Sequence, residues 1–238
     1  MRKISKMLIA LIAGGLMVAS AQATLVINQN PHGLDIQAVT AAGADAWDFA
    51  NDTLGLAYAN GQVDVVTPSP VVWGVAENMV DGLGTGPGLI MYNAYTASFT
   101  LNASYTGPRT LGTIDGQYGH ALRVGMSYHE SYNNYKLQAY YQTTDAPGAW
   151  NLLFDVEDLD TQPGWAPTTL FINTDAASMA IENLNVIAIT SFAVLQSDGG
   201  NYGADLKELD VNMIPEPASM VLIGLSGLGF AFIRRFRV

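Results

Sequence analysis

The sequence predicts an all-β body, an antiparallel β-sandwich of the jelly-roll type, between an N-terminal signal helix and a C-terminal transmembrane helix. Three observations predict the body. About ten to twelve short segments rich in Val, Ile, Tyr, Phe and Thr are separated by turns that contain Gly, Pro, Asn or Asp. Two stretches, 121–129 and 135–142, alternate apolar and polar residues with a period of two. Helical periodicity is almost absent.

The first 23 residues have the organisation of a secretory signal peptide. Three basic residues precede an apolar run at 7–18, and small residues follow in an Ala-x-Ala pattern at Ala21 and Ala23. The apolar run is too short for a permanent membrane span. Signal peptidase is therefore predicted to remove residues 1–23 by cleavage between Ala23 and Thr24.

The last 24 residues have three parts in a fixed order: a Pro-Glu-Pro triplet, an uncharged apolar run and a basic end. These parts are Pro215, Glu216 and Pro217; residues 218–233; and Arg234, Arg235 and Arg237. As a helix, the apolar run extends roughly 24 Å, slightly less than a hydrocarbon core of about 30 Å. Flanking arginines reach the headgroups and make up much of the difference. They also favour a cytoplasmic C-terminus, with the rest of the chain outside.

The order, spacing and terminal position of these three parts resemble the PEP-CTERM sorting signal of Gram-negative bacteria. The resemblance implies that an exosortase cleaves near the Pro-Glu-Pro triplet and releases or re-anchors the body. It also implies a precursor held transiently in the inner membrane, whose body then reaches the cell surface or the extracellular matrix. The signal is typical of bacteria that make exopolysaccharide and biofilm. An ordinary C-terminal membrane anchor is the alternative, in which the Pro-Glu-Pro triplet is a coincidence.

The body, residues 24–214, is acidic and contains no cysteine. It has four basic residues and twenty acidic ones, a formal charge of −16. Such a charge argues against nucleic-acid binding, which needs clustered Lys and Arg to neutralise phosphates. The absence of cysteine excludes disulfides, thiolate nucleophiles and Cys-ligated metal sites. One hydrophobic core must therefore stabilise the body.

Taken in order, the segments of the body predict strands separated by turns. The predicted strands cover 25–28, 34–39, 62–66, 71–76, 89–105, 121–129, 135–142, 151–156, 168–173, 186–195 and 204–213. Segment 41–60 is ambiguous between a short helix and an irregular loop, and a short helix is also predicted at 176–182. The linker 130–134 predicts a hairpin between its two flanking strands. A break in the alternation between Leu206 and Leu209 predicts a β-bulge.

The last two predicted strands also carry a second, weaker resemblance. An apolar strand, a Gly-rich loop and an alternating strand, together roughly 30 residues, resemble the closing strands of carbohydrate-binding-module-like jelly rolls. This resemblance implies a sandwich whose sheet face can bind glycan. It contains no residue with defined chemistry.

Tyrosines are concentrated in the middle of the body. An exposed Tyr ring stacks on the apolar C–H face of a sugar, while neighbouring amides bond its hydroxyls. Alternatively, Tyr is simply a favourable strand residue, and half of the set must face the core. The candidate glycan contacts are Tyr128, Tyr132, Tyr135, Tyr140 and Tyr141.

Acidic residues cluster near the end of the strand at 151–156. Such oxygens can bind structural calcium, but the spacing departs from an EF-hand loop, and a solvated acidic turn is the alternative. The same carboxylates are the candidates for glycoside hydrolysis. These residues are Asp155, Glu157, Asp158 and Asp160. Ser127, His129 and Glu130 adjoin in sequence, but strand alternation separates Glu130 from the other two, so catalysis there is not expected.

Together these observations predict a non-enzymatic exported protein, sorted by its tail, with a structural or adhesive role in exopolysaccharide. A carbohydrate-binding, lectin-like module is the second hypothesis, and a secreted polysaccharide hydrolase is the third. No cofactor is expected apart from the calcium considered above. The predicted partners are signal peptidase, an exosortase, the inner membrane and exopolysaccharide.

Overall fold

The computed structural model describes residues 25–40, 52–81, 88–91, 95–112, 121–128, 132–158, 166–173, 181–195 and 205–214. The predicted signal peptide and the apolar run at 218–233 lie outside these ranges, as do residues 176–180 of the predicted helix at 176–182. The last two residues of that predicted helix are described and are not helical, and Ile181 forms an antiparallel bridge with Leu111. Within the described ranges, no helix is long and apolar enough to cross a membrane.

The described residues are mostly β-strand, which confirms the predicted all-β class. The strands are β1 (Leu25–Gln29), β2 (Asp35–Thr40), β3 (Val63–Val66), β4 (Val71–Trp73), β5 (Ile90–Met91), β6 (Ala97–Leu101), β7 (Thr110–Leu111), β8 (Leu122–Tyr128), β9 (Tyr132–Thr143), β10 (Asn151–Asp158), β11 (Ala166–Asn173), β12 (Leu184–Leu195), β13 (Asp205–Val211) and β14 (Met213–Ile214). A short α-helix, α1 (Thr53–Ala59), lies within the segment that the sequence left ambiguous.

Two antiparallel sheets make up most of the body. A six-stranded sheet has the order β1-β10-β9-β12-β6-β3, and a four-stranded sheet has the order β13-β8-β11-β2. Buried side chains from both sheets belong to a single hydrophobic cluster, to which Phe99, Leu137 and Ile189 contribute from one sheet and Val124 and Ile172 from the other. The core is therefore shared between the sheets.

Alternation along β9 has the predicted orientation. Leu137 and Ala139 are buried in the core, whereas Lys136, Gln138 and Tyr140 between them are only half-buried. Because successive side chains point to opposite faces of a strand, the second set lies on the outer face of the six-stranded sheet. This outer face carries the candidate site.

The predicted hairpin between β8 and β9 is wrong. β8 pairs with β11 and β13 in the four-stranded sheet, whereas β9 pairs with β10 and β12 in the six-stranded sheet. A period of two fixes which side chains face the core, but it does not specify the neighbouring strand. The hairpin that does form joins β9 to β10 through the predicted turn at Asp145.

The predicted β-bulge in the last long strand is confirmed. The register between β13 and β8 shifts between Leu206 and Glu208. Leu206 and Leu209, three positions apart in the sequence, are both fully buried. The extra residue in β13 at the bulge accommodates the change in the spacing of its apolar residues.

The first residues of α1 meet a group of buried acids on β13. Asp52 caps the helix, accepting hydrogen bonds from the backbone N–H groups of Leu54 at 2.9 Å and Gly55 at 2.7 Å. Burial, together with the nearby carboxylates of Asp210 and Glu208, raises the pKa of Asp52 well above its ordinary value. Burial also raises the pKa of Asp210. These acids therefore bind protons more readily in the folded protein than in the unfolded chain.

This arrangement predicts that stability falls as the pH rises. The stabilising effect of the Asp52 proton is fully present below its ordinary pKa of 3.8, and it is lost as the pH rises through the raised folded pKa. Asp52→Asn preserves a good N-cap and cannot ionise, so we expect much of this decline to disappear. Thermal unfolding of the full-length protein in detergent between about pH 4 and pH 8 measures it.

Asp35→Asn is the matched control, because Asp35 is exposed on β2. It removes the same formal charge from the surface, so we expect it to leave the pH dependence unchanged. An Asp52→Asn protein whose stability declines as steeply as that of the wild type would refute the assignment.

Candidate functional site

Strands β9 and β12 form the centre of the outer face of the six-stranded sheet. Tyr140 lies directly opposite Ala188, and Gln138 lies directly opposite Thr190. The residues between them on each strand point into the core. Two adjacent strands thus present a Tyr, a Gln and a Thr side by side on one surface.

An open groove of about 460 Å³ runs across this surface. Trp150, directly before β10, borders it on the side of that strand and is 52% exposed. Thr96, directly before β6, borders it on the opposite side. The lining residues are Thr96, Gln138, Tyr140, Trp150, Ala188, Thr190 and Phe192.

Hydrogen bonds fix the polar side chains beneath the groove. The Tyr140 hydroxyl donates to Gln138 Oε1 at 3.1 Å, and Gln138 Nε2 donates to Asp155 Oδ2 at 2.9 Å. Lys136 Nζ lies 3.0 Å from the same carboxylate oxygen. Since the Tyr140 proton is used within this network, the hydroxyl oxygen can accept a hydrogen bond from a ligand.

On the far side of the groove, the hydroxyls of Thr96 and Thr190 lie 2.6 Å apart and share a hydrogen bond. The groove thus combines the indole of Trp150 and the ring of Tyr140 with fixed hydroxyl and amide groups. Aromatic faces pack on apolar C–H surfaces, and hydroxyls and amides bond polyol hydroxyls. None of the described lining residues is a carboxylate, the group that glycoside hydrolysis uses in pairs.

The five candidate tyrosines are divided between the two faces of the sheet. Tyr140 lies in the groove, as glycan contact requires. Tyr135 is 3% exposed and Tyr141 is 9% exposed, and both belong to the core, so we withdraw them as contacts. Burial raises the pKa of Tyr141, and its ring packs edge-on against His32. The side chains of Tyr128 and Tyr132 lie outside the described residues.

The candidate calcium ligands are only partly placed. Asp155 is buried, and its carboxylate is bound by Lys136, Gln138 and the more distant amide of Asn28. Its oxygens therefore already have partners within the sheet. Glu157 lies opposite Lys136. The side chain of Asp158 and the whole of Asp160 lie outside the described residues.

Within the described ranges, no group of three or more acidic or histidine side chains is placed to hold a metal ion. Of the Ser-His-Glu run considered for catalysis, only the backbone of Ser127 in β8 is described. His129 and Glu130 lie outside the described residues, as do the signal-cleavage residues Ala21, Ala23 and Thr24.

Trp150 is the aromatic residue of the groove that was not predicted from the sequence. It is a lone aromatic between a turn and a strand, whereas the predicted glycan contacts were five tyrosines between residues 128 and 141. Ala188, Thr190 and Phe192, which also line the groove, come from the apolar run at 186–195 that was predicted only as a strand. A tryptophan beside a Pro-Gly turn was the available signal.

The last described strand leads directly into the C-terminal tail. Residues 214–235 match the PEP-CTERM protein-sorting motif. The chain carries a PEP-CTERM sorting motif. No curated protein matches the chain. The motif implies an exosortase as the processing partner and a membrane-associated precursor that is processed for export to the cell surface. The predicted resemblance to this signal is confirmed, and the matched range includes Pro215, Glu216, Pro217, Arg234 and Arg235.

Proposed function

We propose that this protein is a non-enzymatic adhesive component of the cell surface or extracellular matrix, and that its body binds exopolysaccharide through the groove. Signal peptidase removes residues 1–23, and the exosortase acts near the Pro-Glu-Pro triplet while the apolar run is in the inner membrane. The mature body is then released or re-anchored. The proposed function combines the adhesive role and the lectin-like role that the sequence suggested as separate hypotheses.

The presence of two aromatic side chains, Trp150 and Tyr140, in the lining of one open groove carries this proposal. An exposed indole beside a second aromatic ring and fixed hydroxyl and amide groups offers a sugar both a stacking surface and hydrogen-bond partners. The groove volume lies within the range of ligand sites, about 300–1,000 Å³. Its open form suits a segment within a long chain. The shared core of the two sheets supports the jelly-roll sandwich that we propose as the scaffold.

Removing the indole tests the proposal. We expect Trp150→Ala to weaken binding to host exopolysaccharide at least tenfold, about 1.4 kcal/mol, because the stacking surface is lost. Tyr140→Phe removes only the hydroxyl and should cost less. A glycan array and affinity electrophoresis, with protein recovered from its host after export, measure both.

Trp73→Ala is the matched control, since Trp73 is 64% exposed on β4 and does not line the groove. We expect it to bind as the wild type does. Equal binding by the Trp150→Ala and wild-type proteins would overturn the groove assignment. Equal losses in both tryptophan variants would indicate nonspecific adhesion.

A further inference from the structure

The sorting motif begins within the folded body. β14 (Met213–Ile214) pairs with β7, with Met213 opposite Leu111 and Ile214 opposite Thr110. The match to the motif starts at Ile214 itself. Three residues separate this strand from the apolar run at 218–233, a reach of about 10 Å when fully extended. The Pro-Glu-Pro triplet is therefore joined to a paired strand without a linker.

The N-terminus of α1 holds this part of the chain by its backbone. Asp52 Oδ1 accepts a hydrogen bond from the Val211 N–H at 2.9 Å, and Thr53 Oγ1 accepts one from the Met213 N–H at 2.9 Å. The Thr53 hydroxyl also donates to the Val211 carbonyl. We call Asp52 and Thr53 the C-terminal clamp.

Neighbouring contacts strengthen the clamp. The Asn212 N–H donates to the Ala121 carbonyl at 2.8 Å, and the Tyr105 hydroxyl lies 3.8 Å from the Met213 sulfur. Met213 is only 4% exposed. The chain before the motif thus has buried side chains and satisfied backbone groups.

We propose that the C-terminal clamp controls access of the processing enzyme to the motif, so that cleavage requires release of residues 211–214 from the body. An enzyme that binds its substrate as an extended segment uses the substrate's backbone groups, and here those groups are already bonded. Cleavage then follows the population in which the strand has opened locally. The proposal rests on the proposed cleavage near the Pro-Glu-Pro triplet; the chemistry of cleavage belongs to the enzyme.

Weakening the clamp should accelerate processing. Thr53→Val keeps the shape of the side chain but removes the hydroxyl that bonds residues 211 and 213. In a pulse–chase experiment on the full chain in its host, we expect conversion of precursor to mature protein about five- to tenfold faster. Thr67→Val is the matched control, because the Thr67 hydroxyl likewise accepts from a backbone N–H, that of Ala76, and donates to Glu77.

An inserted linker provides a second test of the clamp proposal in case Thr53→Val impairs folding. Inserting Gly-Ser-Gly-Ser after Ile214 leaves the clamp in place and adds about 13 Å of reach. We expect this insertion to accelerate conversion, and the same insertion in the exposed turn after Ala146 to have no effect.

The results distinguish the control of access by the C-terminal clamp from the cleavage near the Pro-Glu-Pro triplet. Faster conversion with the linker, and with Thr53→Val where that variant folds, supports the clamp. Conversion at the wild-type rate with the linker overturns the clamp proposal, since access then does not limit cleavage. Glu216→Ala is the reference: if it blocks conversion while the linker has no effect, the cleavage site stands and only the clamp fails. If Glu216→Ala is processed normally, the proposed cleavage near the triplet fails.

Discussion

Replacing Glu216 with alanine, or deleting residues 234–238, is expected to stop maturation and leave the precursor in the membrane. The glutamate is the charged group of the Pro-Glu-Pro triplet, and the deleted segment contains the arginines that are predicted to favour a cytoplasmic C-terminus. Loss of either should reduce the yield of mature protein at least tenfold, as a lost contact of about 1.4 kcal/mol would do. Immunoblots of membrane and extracellular fractions from the native host measure this yield.

Glu182→Ala provides the control, because Glu182 is an exposed acid in the body. It removes the same charge and should mature normally. Release of the Glu216→Ala protein at the wild-type rate, with the wild-type size, would show that the triplet is not used for processing.

The second large effect is expected from Arg123→Met. Arg123 pairs with Asp210, which is fully buried, through its Nε at 2.8 Å and its Nη2. Breaking a buried ion pair by removing one partner costs about 3–5 kcal/mol, because the remaining charge has no compensation. For a body of this size the melting temperature should fall by about 10 °C. Thermal unfolding of the full-length protein in detergent measures the change.

Two further variants test whether the uncompensated charge of Asp210 causes the loss of stability. Lys136→Met breaks the Lys136–Asp155 pair, but Asp155 keeps its hydrogen bond from Gln138, so a much smaller loss is expected. Adding Asp210→Asn to Arg123→Met removes the uncompensated charge and should recover part of the stability. If the double variant is no more stable than Arg123→Met, the loss comes from packing and not from charge.

The most successful predictions from the sequence concern features formed by residues that are close together in the chain. The sorting motif is contiguous, and the bulge follows from the spacing of Leu206 and Leu209. The alternation of β9 correctly separated core from surface because the period of a strand is fixed by its geometry. Each of these features can be recognised from neighbouring residues without knowing which distant segments they contact.

Features that depend on pairing between distant segments were not predictable. The groove needs Trp150 and Thr190 to line the same surface, and the order of the strands in the sheet decides that. The buried acid group joins Asp52, in an ambiguous Ala-rich segment, to Asp210, more than 150 residues later. The alternation of β8 predicted that Arg123 lies on its polar side. It did not predict that β13 would place a buried carboxylate opposite Arg123. A sequence pattern determines which face of a strand each side chain occupies, whereas tertiary packing determines which strands become neighbours.

The central claim is that the sorted body adheres to polysaccharide through the groove. The most direct measurement is the fraction of mature protein retained in the washed extracellular matrix of its own host, compared among wild type, Trp150→Ala and Trp73→Ala. Retention of the wild-type and Trp73→Ala proteins, with Trp150→Ala released at least tenfold more readily into the medium, is the predicted result. Equal retention of all three proteins would contradict it.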